Sequence, residues 1–232
     1  MWSGPRNIST AMMRAWENRS DTVVVDEPFY AHYLKSTGIQ HPMASEIIAD
    51  SETNWQSVVQ TLAQPPEEGI FYQKHISTHW MDYFSSDWLE ELEHVFLIRE
   101  PEPVVASYAN KRDKLTMHDL GYSQQTWLFE HIHERSGKRP PVIDSRRFLD
   151  NPEAQLIRLC ELLGINFQGA MLSWPAGSRQ SDGIWQSHWY DAVRKSTGFG
   201  SNNNKPASLT NDQTAIAQQC RPHYEALFEF AL

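Results

Sequence analysis

Residues 2–10 read WSGPRNIST, a glycine–proline turn followed at once by two hydroxyl residues. A short loop that feeds straight into a helix aims its backbone N–H groups and the positive end of the helix dipole at one spot, which suits an anion. Ser9 and Thr10 add hydroxyl donors, and Arg6 adds a fixed charge on a planar fork matched to phosphate-like groups. The stretch is not the usual nucleotide loop. The pattern G-x-x-x-x-G-K-[ST] demands glycine and lysine where Ser9 and Thr10 stand. Taken alone, a plain serine-capped turn is the competing reading. Loops of this kind hang from a buried strand, yet only Met1 and Trp2 precede the turn here. The expectation is therefore that the native start lies a few residues upstream.

Outward from the loop, strand and helix patterns alternate. Apolar or β-branched runs at 22–26 (TVVVD), 69–75 (GIFYQKH), 94–99 (HVFLIR) and, weakly, 141–144 (PVID) read as buried parallel strands. Helical stretches fall at 9–20, 54–64, 101–112, 123–137, 151–164 and 210–230. The one at 101 has proline at its start, and those at 123 and 151 close on glycine. Alternation of this kind predicts an α/β fold of the P-loop type, three layers α/β/α around a central, mostly parallel sheet. One domain over 1–232 is expected at this length. The segment 196–208 (STGFGSNNNKPAS) reads as a mobile loop.

Composition narrows the chemistry. A net charge of −9 argues against a general nucleic-acid binder, so an anion site must be a local basic cluster. The two cysteines, Cys160 and Cys220, have neither metal spacing nor the density of a disulfide scaffold. No apolar run approaches the ~18 residues of a membrane span, and there is no signal-peptide pattern. A reducing, cytoplasmic setting is expected.

Two further stretches join the opening loop. LIREPEPVVASYANKR (97–112) puts Arg99 at a strand end and Ser107 on the following helix, and VRKSTGFG (193–200) clusters Arg194, Lys195 and Ser196. In this order the three motifs resemble the sulfotransferases that use 3′-phosphoadenosine 5′-phosphosulfate. In that family a loop of the type P-[KR]-[ST]-G-[ST]-T binds the 5′-phosphosulfate. The resemblance, which spans roughly residues 3 to 200, implies that Pro5, Arg6, Asn7, Ile8, Ser9 and Thr10 cradle that group. It implies that Arg99 and Ser107 hold the 3′-phosphate, helped by Arg194, Lys195 and Ser196. The opening loop together with VDEPFY (25–30) looks closest to a group of small sulfotransferase-like proteins. There are departures: Ile8 stands where the family has glycine, Ala11 where many members stack tryptophan on adenine, and Ser196 where glycine is usual.

Sulfuryl transfer resembles phosphoryl transfer, a loose in-line displacement with charge building on the leaving oxygen. Arg6 and the loop amides supply the positive groups such a step needs, and no metal is required in principle. A base is needed too. Glu27 stands just after a strand, at the carboxyl end where α/β sheets build their sites, and a glutamate in such a stretch is the base in some carbohydrate-directed sulfotransferases. Helix capping is its plainer role. Lys74 and His75 in FYQKHISTHW (71–80) are similar to the K-x-H stretch of cytosolic members, making Lys74 a contact for the transferring group and His75 a second candidate base. His75 and His79 lack the glutamate of H-E-x-x-H and a third ligand, so no metal site is expected; the remaining histidines read as structural.

The leading expectation is a sulfotransferase acting on a hydroxyl or amine of a small acceptor, without nucleic-acid or membrane partners. A P-loop small-molecule kinase is the alternative, because TVVVD imitates the strand that carries a Mg²⁺-binding aspartate, here Asp26. A non-catalytic nucleotide-binding module is the third.

Overall fold

The computed structural model describes residues 1–112, 114–201 and 208–232. Five parallel strands form one sheet: β1 (Trp2–Ser3), β2 (Thr22–Asp26), β3 (Ile70–Ile76), β4 (Phe96–Ile98) and β5 (Val142–Asp144). Their order across the sheet is β2-β3-β1-β4-β5. The α/β class with a parallel sheet flanked by helices is as the sequence pattern implies. The strand before the loop is β1, two residues long, in register with His75–Ile76 on one side and Phe96–Leu97 on the other.

Strand alternation sends side chains to two faces, each covered by helices. Trp2, Phe96, Ile98 and Val142 join the core beneath the helices Pro101–Ala109, Tyr122–Ser136 and Asn211–Phe228. Leu97 and Ile143 join the opposite core, beneath the helices Ser9–Glu17 and Pro152–Leu162. Among the elements that the sequence pattern missed are the helices Tyr30–Thr37 and Ala44–Asp50 and two four-residue helices, Gln186–Trp189 and Asp191–Arg194. They build a third, smaller apolar cluster around Tyr30, Leu34, Ile47, Trp185 and Tyr190. Of the expected loop 196–208, residues 202–207 lie outside the described residues, while its first part is anchored. Ser173 bridges Gly198, and the Trp174 amide donates to the Thr197 carbonyl at 3.0 Å. Among the described residues no helix is long and apolar enough to cross a membrane.

Because β1 lies between β3 and β4, the chain winds outward in both directions from it. In open α/β sheets the crevice outside the carboxyl ends of the strands at such a switch point is where ligands bind. The turn leaving β1 is tight: a Cβ on Gly4 would sit 2.8 Å from the Leu120 carbonyl oxygen. Gly4→Ala is expected to cost about 1–3 kcal/mol and to lower the thermal unfolding midpoint by roughly 2–10 °C. An unchanged midpoint would show that the turn can move away from Leu120.

Candidate functional site

Four strand ends converge on a cleft of about 400 Å³. The opening loop forms its floor. Arg6 and Ile8 both adopt left-handed backbone conformations, with φ of 63° and 58°. For a β-branched residue that is a true outlier, and it gives a physical reason why glycine would suit position 8. Ile8 is also the cap position of the helix Ser9–Glu17 and makes no side-chain cap bond. The first-turn amides are thus left without the partner a serine or aspartate cap would supply. Asn7 turns away from this duty: its side-chain amide donates to the Leu97 carbonyl at 3.2 Å, pinning the loop to β4.

Two guanidinium groups crowd the loop. Arg6 Nε donates to Ser107 Oγ at 3.0 Å and its Nη1 to the Trp189 carbonyl at 3.3 Å. Arg99 Nη1 donates to the Arg6 carbonyl at 2.8 Å, and the Arg99 carbonyl accepts from Tyr122 at 2.7 Å. Among the described residues neither arginine has a carboxylate within 4.0 Å. Burial lowers the pKa of both, and in Arg99 the nearby Arg6 charge adds to the effect. Two partly buried cations facing one another, with no carboxylate of the described residues in direct contact, form a site suited to an anion.

The opposite wall is a buried charge network. Lys74 Nζ, 1% exposed, donates to Asp26 Oδ1 at 2.7 Å, Glu27 Oε1 at 2.5 Å and the Tyr190 hydroxyl at 2.8 Å. Tyr190 in turn donates to Asp26 Oδ2 at 2.7 Å, and the Gly183 amide reaches the same oxygen at 3.2 Å. Glu27 sits at φ 41°, a strained turn off β2 that places its carboxylate in the cleft wall beside Lys74. Burial raises the Glu27 pKa, Lys74 opposes that, and Asp26 reinforces it. Burial works to lower the Lys74 pKa, but the charges and hydrogen bonds of Asp26 and Glu27 outweigh it and hold it above its ordinary value.

The cleft thus brings together Pro5, Arg6, Asn7, Ile8, Ser9, Thr10, Glu27, Lys74, Arg99, Ser107 and Ser196. It does not bring in His75. Next to Lys74 on a strand, His75 must point to the other face, where it stacks on Trp2 at 4.4 Å and hydrogen-bonds Gln73 at 3.1 Å. Burial pushes its pKa well below 6.5. As a candidate base it is corrected by this geometry. Arg194 and Lys195 also lie outside the cleft wall: the helical turn at 191–194 directs Ala192, Val193 and Ser196 inward, while Lys195 is exposed. Ser196 Oγ accepts from Trp174 at 3.1 Å.

Sequence reasoning missed Tyr190, which no motif marks, and His79, which was read as structural. His79 lines the cleft, buried, with its ring 4.7 Å from that of Tyr30 and parallel to it within 6°. Tyr30, Tyr33, His41, Tyr108 and Trp189 complete this aromatic end. The signal for it in the sequence is the aromatic-rich stretches HWMDYF (79–84) and IWQSHWYD (184–191), which carry His79, Trp189 and Tyr190.

Comparison with known proteins bears on the family and the fold. Residues 1–231 match the family model described as a sulfotransferase domain. Two proteins of Arabidopsis thaliana, branched-chain-amino-acid aminotransferase-like proteins 2 and 1, are each 34% identical over 227 residues. Those alignments cover 97% of this chain but 40% of either relative, so the chain spans about two fifths of their length. Among solved structures, a sulfotransferase domain from the curacin biosynthetic pathway shares the fold with a TM-score of 0.56 at 14% identity, covering 95% of both chains. One from the Synechococcus PCC 7002 olefin synthase does so with a TM-score of 0.51 at 17% identity, covering 94% of this chain and 92% of that one. The chain belongs to the sulfotransferase domain family.

Proposed function

We propose that the protein transfers a sulfuryl group from 3′-phosphoadenosine 5′-phosphosulfate to a hydroxyl or amine of a small acceptor. The observation that carries this reading is the pair of carboxylate-free guanidiniums, Arg6 and Arg99, at an uncapped helix N-terminus. An arginine offers five N–H donors; Arg6 uses two of them and Arg99 one within the protein. Donor groups remain for two anionic ends, the loop side for the phosphosulfate and the Arg99–Ser107 side for the 3′-phosphate. When bound, the donor supplies the sulfuryl group and a phosphate leaving group.

Arg6 and the first-turn amides stabilise charge as it builds on the leaving oxygen. Glu27 takes the acceptor's proton. Its Oε1 is occupied by Lys74 at 2.5 Å, which directs the proton to Oε2. A carboxylate with a raised pKa is a better base near neutral pH than an ordinary one. Lys74 keeps that carboxylate in place and puts a positive charge beside the transferring group. The aromatic end of the cleft receives the body of the acceptor. Asp26, the residue a kinase would use for Mg²⁺, is 7% exposed and fully engaged by Lys74, Tyr190 and Gly183. The kinase reading loses its ligand on that account.

Titration calorimetry without magnesium tests the donor. 3′-Phosphoadenosine 5′-phosphate is expected to bind roughly 10- to 100-fold tighter than AMP, from charge-assisted bonds of about 1.5–3 kcal/mol to the extra phosphate. A magnesium-dependent preference for ATP would restore the kinase reading, and binding without turnover across an acceptor panel would favour a non-catalytic module.

A further inference from the structure

One chain of hydrogen bonds at the aromatic end of the cleft takes no part in the mechanism above, and its polarity is fixed. Arg112 Nη1 lies 2.9 Å from His41 Nε2 and is held on its other side by Asp119 at 3.3 Å. The second Asp119 oxygen accepts from the Thr116 amide and hydroxyl at 2.8 and 2.7 Å, which keeps the carboxylate where it is. A guanidinium can only donate, so Nε2 is the bare nitrogen of His41. Burial, with the Arg112 charge adding to it, lowers the His41 pKa to about 4. The ring is therefore neutral at pH 7 and carries its one proton on Nδ1. That nitrogen lies 2.8 Å from the Tyr30 hydroxyl oxygen and donates to it.

With His41 Nδ1 donating to the phenolic oxygen, the Tyr30 proton must point elsewhere, and among the described residues it meets no acceptor. Burial raises the Tyr30 pKa, so the proton stays on. The parallel His79 ring against one face of Tyr30 and the edge of Trp185, 5.2 Å away, hold the phenol in place. Tyr30, His41 and Trp189 all line the cleft.

We propose that Tyr30 determines acceptor specificity: its hydroxyl donates one hydrogen bond to the molecule in the aromatic end of the cleft, which therefore carries a carbonyl-type oxygen on an apolar body. A pocket that offers a buried donor discriminates against analogues that lack the matching oxygen. That this molecule is the sulfuryl acceptor rests on the proposed function; that Tyr30 offers a proton into the cleft does not.

Two measurements on the full chain test this. In ¹⁵N-histidine-labelled protein at pH 7, the His41 signals, assigned by their loss in His41→Gln, should show a protonated Nδ1 and a bare Nε2. In ligand-observed NMR titrations, the probes are acetophenone and ethylbenzene, which differ by one carbonyl oxygen. Acetophenone should bind about twofold to tenfold tighter, and Tyr30→Phe should remove that preference while keeping the affinity for ethylbenzene. A proton on Nε2, equal or absent binding of the two probes, or a preference that survives Tyr30→Phe overturns the proposal. Binding of 3′-phosphoadenosine 5′-phosphate to the same samples separates the two readings: its absence would sink the proposed donor and leave the Tyr30 assignment standing.

Discussion

Glu27→Gln is expected to lower kcat by about 10²- to 10⁴-fold, the range general-base catalysis contributes, while leaving binding of 3′-phosphoadenosine 5′-phosphate within a few-fold. Glutamine keeps the shape and can still accept from Lys74 through its carbonyl oxygen, but it cannot take a proton. The pH profile adds a sign. Burial holds the Glu27 pKa above the ordinary carboxylate range, so kcat/KM should climb with pH as Glu27 loses its proton, over a window above that of a solvated glutamate. The rising limb should vanish in Glu27→Gln, whose residual activity should be flat there. Stopped or continuous assays of 3′-phosphoadenosine 5′-phosphate release measure both. Full activity in the variant would return Glu27 to the role of a structural carboxylate that does no more than neutralise Lys74.

Much of this site is legible in the chain because its parts sit at strand ends. A loop leaving a strand and the arginine that ends another, Arg99, are brought to one edge by any parallel sheet. The alternation that defines a strand also made the problem with Lys74 and His75 visible. Adjacent residues cannot both face the cleft, and Lys74 is the one with a charge partner there. Less legible is whatever depends on tertiary packing. Tyr190 reaches Lys74 from a sequence distance of 116 residues, from the junction of two four-residue helices with no periodicity to detect. Arg194 and Lys195 matched a motif, but a motif cannot say which side of one helical turn meets the cleft. β1 itself is tied on both sides, with the Trp2 amide donating to the Val95 carbonyl at 2.8 Å and the His75 amide to the Met1 carbonyl at 2.9 Å.

The acidic balance of the chain and its anion site are reconciled by the same distribution. Among the described residues, positive charge near the loop has no direct carboxylate partner at Arg6 and Arg99, whereas Lys74 is offset twice over, by Asp26 and Glu27. The cleft therefore has a cationic end and a locally neutral or acidic end, separated by the space where a transferred group would pass. Polarity of this kind favours an anionic donor on one side and a base on the other.

Lys74→Met is expected to cost about 3–5 kcal/mol, the usual result of removing one partner from a buried ion pair, and to lower the unfolding midpoint by roughly 6–20 °C. Methionine fills nearly the same volume, so the loss comes from charge: Asp26 and Glu27 are left side by side with no cation between them. The pH dependence follows from Glu27. Its folded pKa already lies above the unfolded value through burial, and loss of Lys74 removes the influence that lowers it. A carboxyl whose folded pKa is raised is at no disadvantage below its unfolded value near 4.3 and destabilises the fold as pH climbs through the folded one. Lys74→Met should therefore be less destabilised at pH 5 than at pH 8. Adding Asp26→Asn should recover part of the loss at pH 8, because one buried carboxylate then stands without a like neighbour. Thermal unfolding of the three proteins at both pH values reads this directly. A loss that is the same at pH 5 and pH 8 and unrelieved by Asp26→Asn would mean that Lys74 stabilises by packing, and that the charge network does not hold Glu27 in position for catalysis.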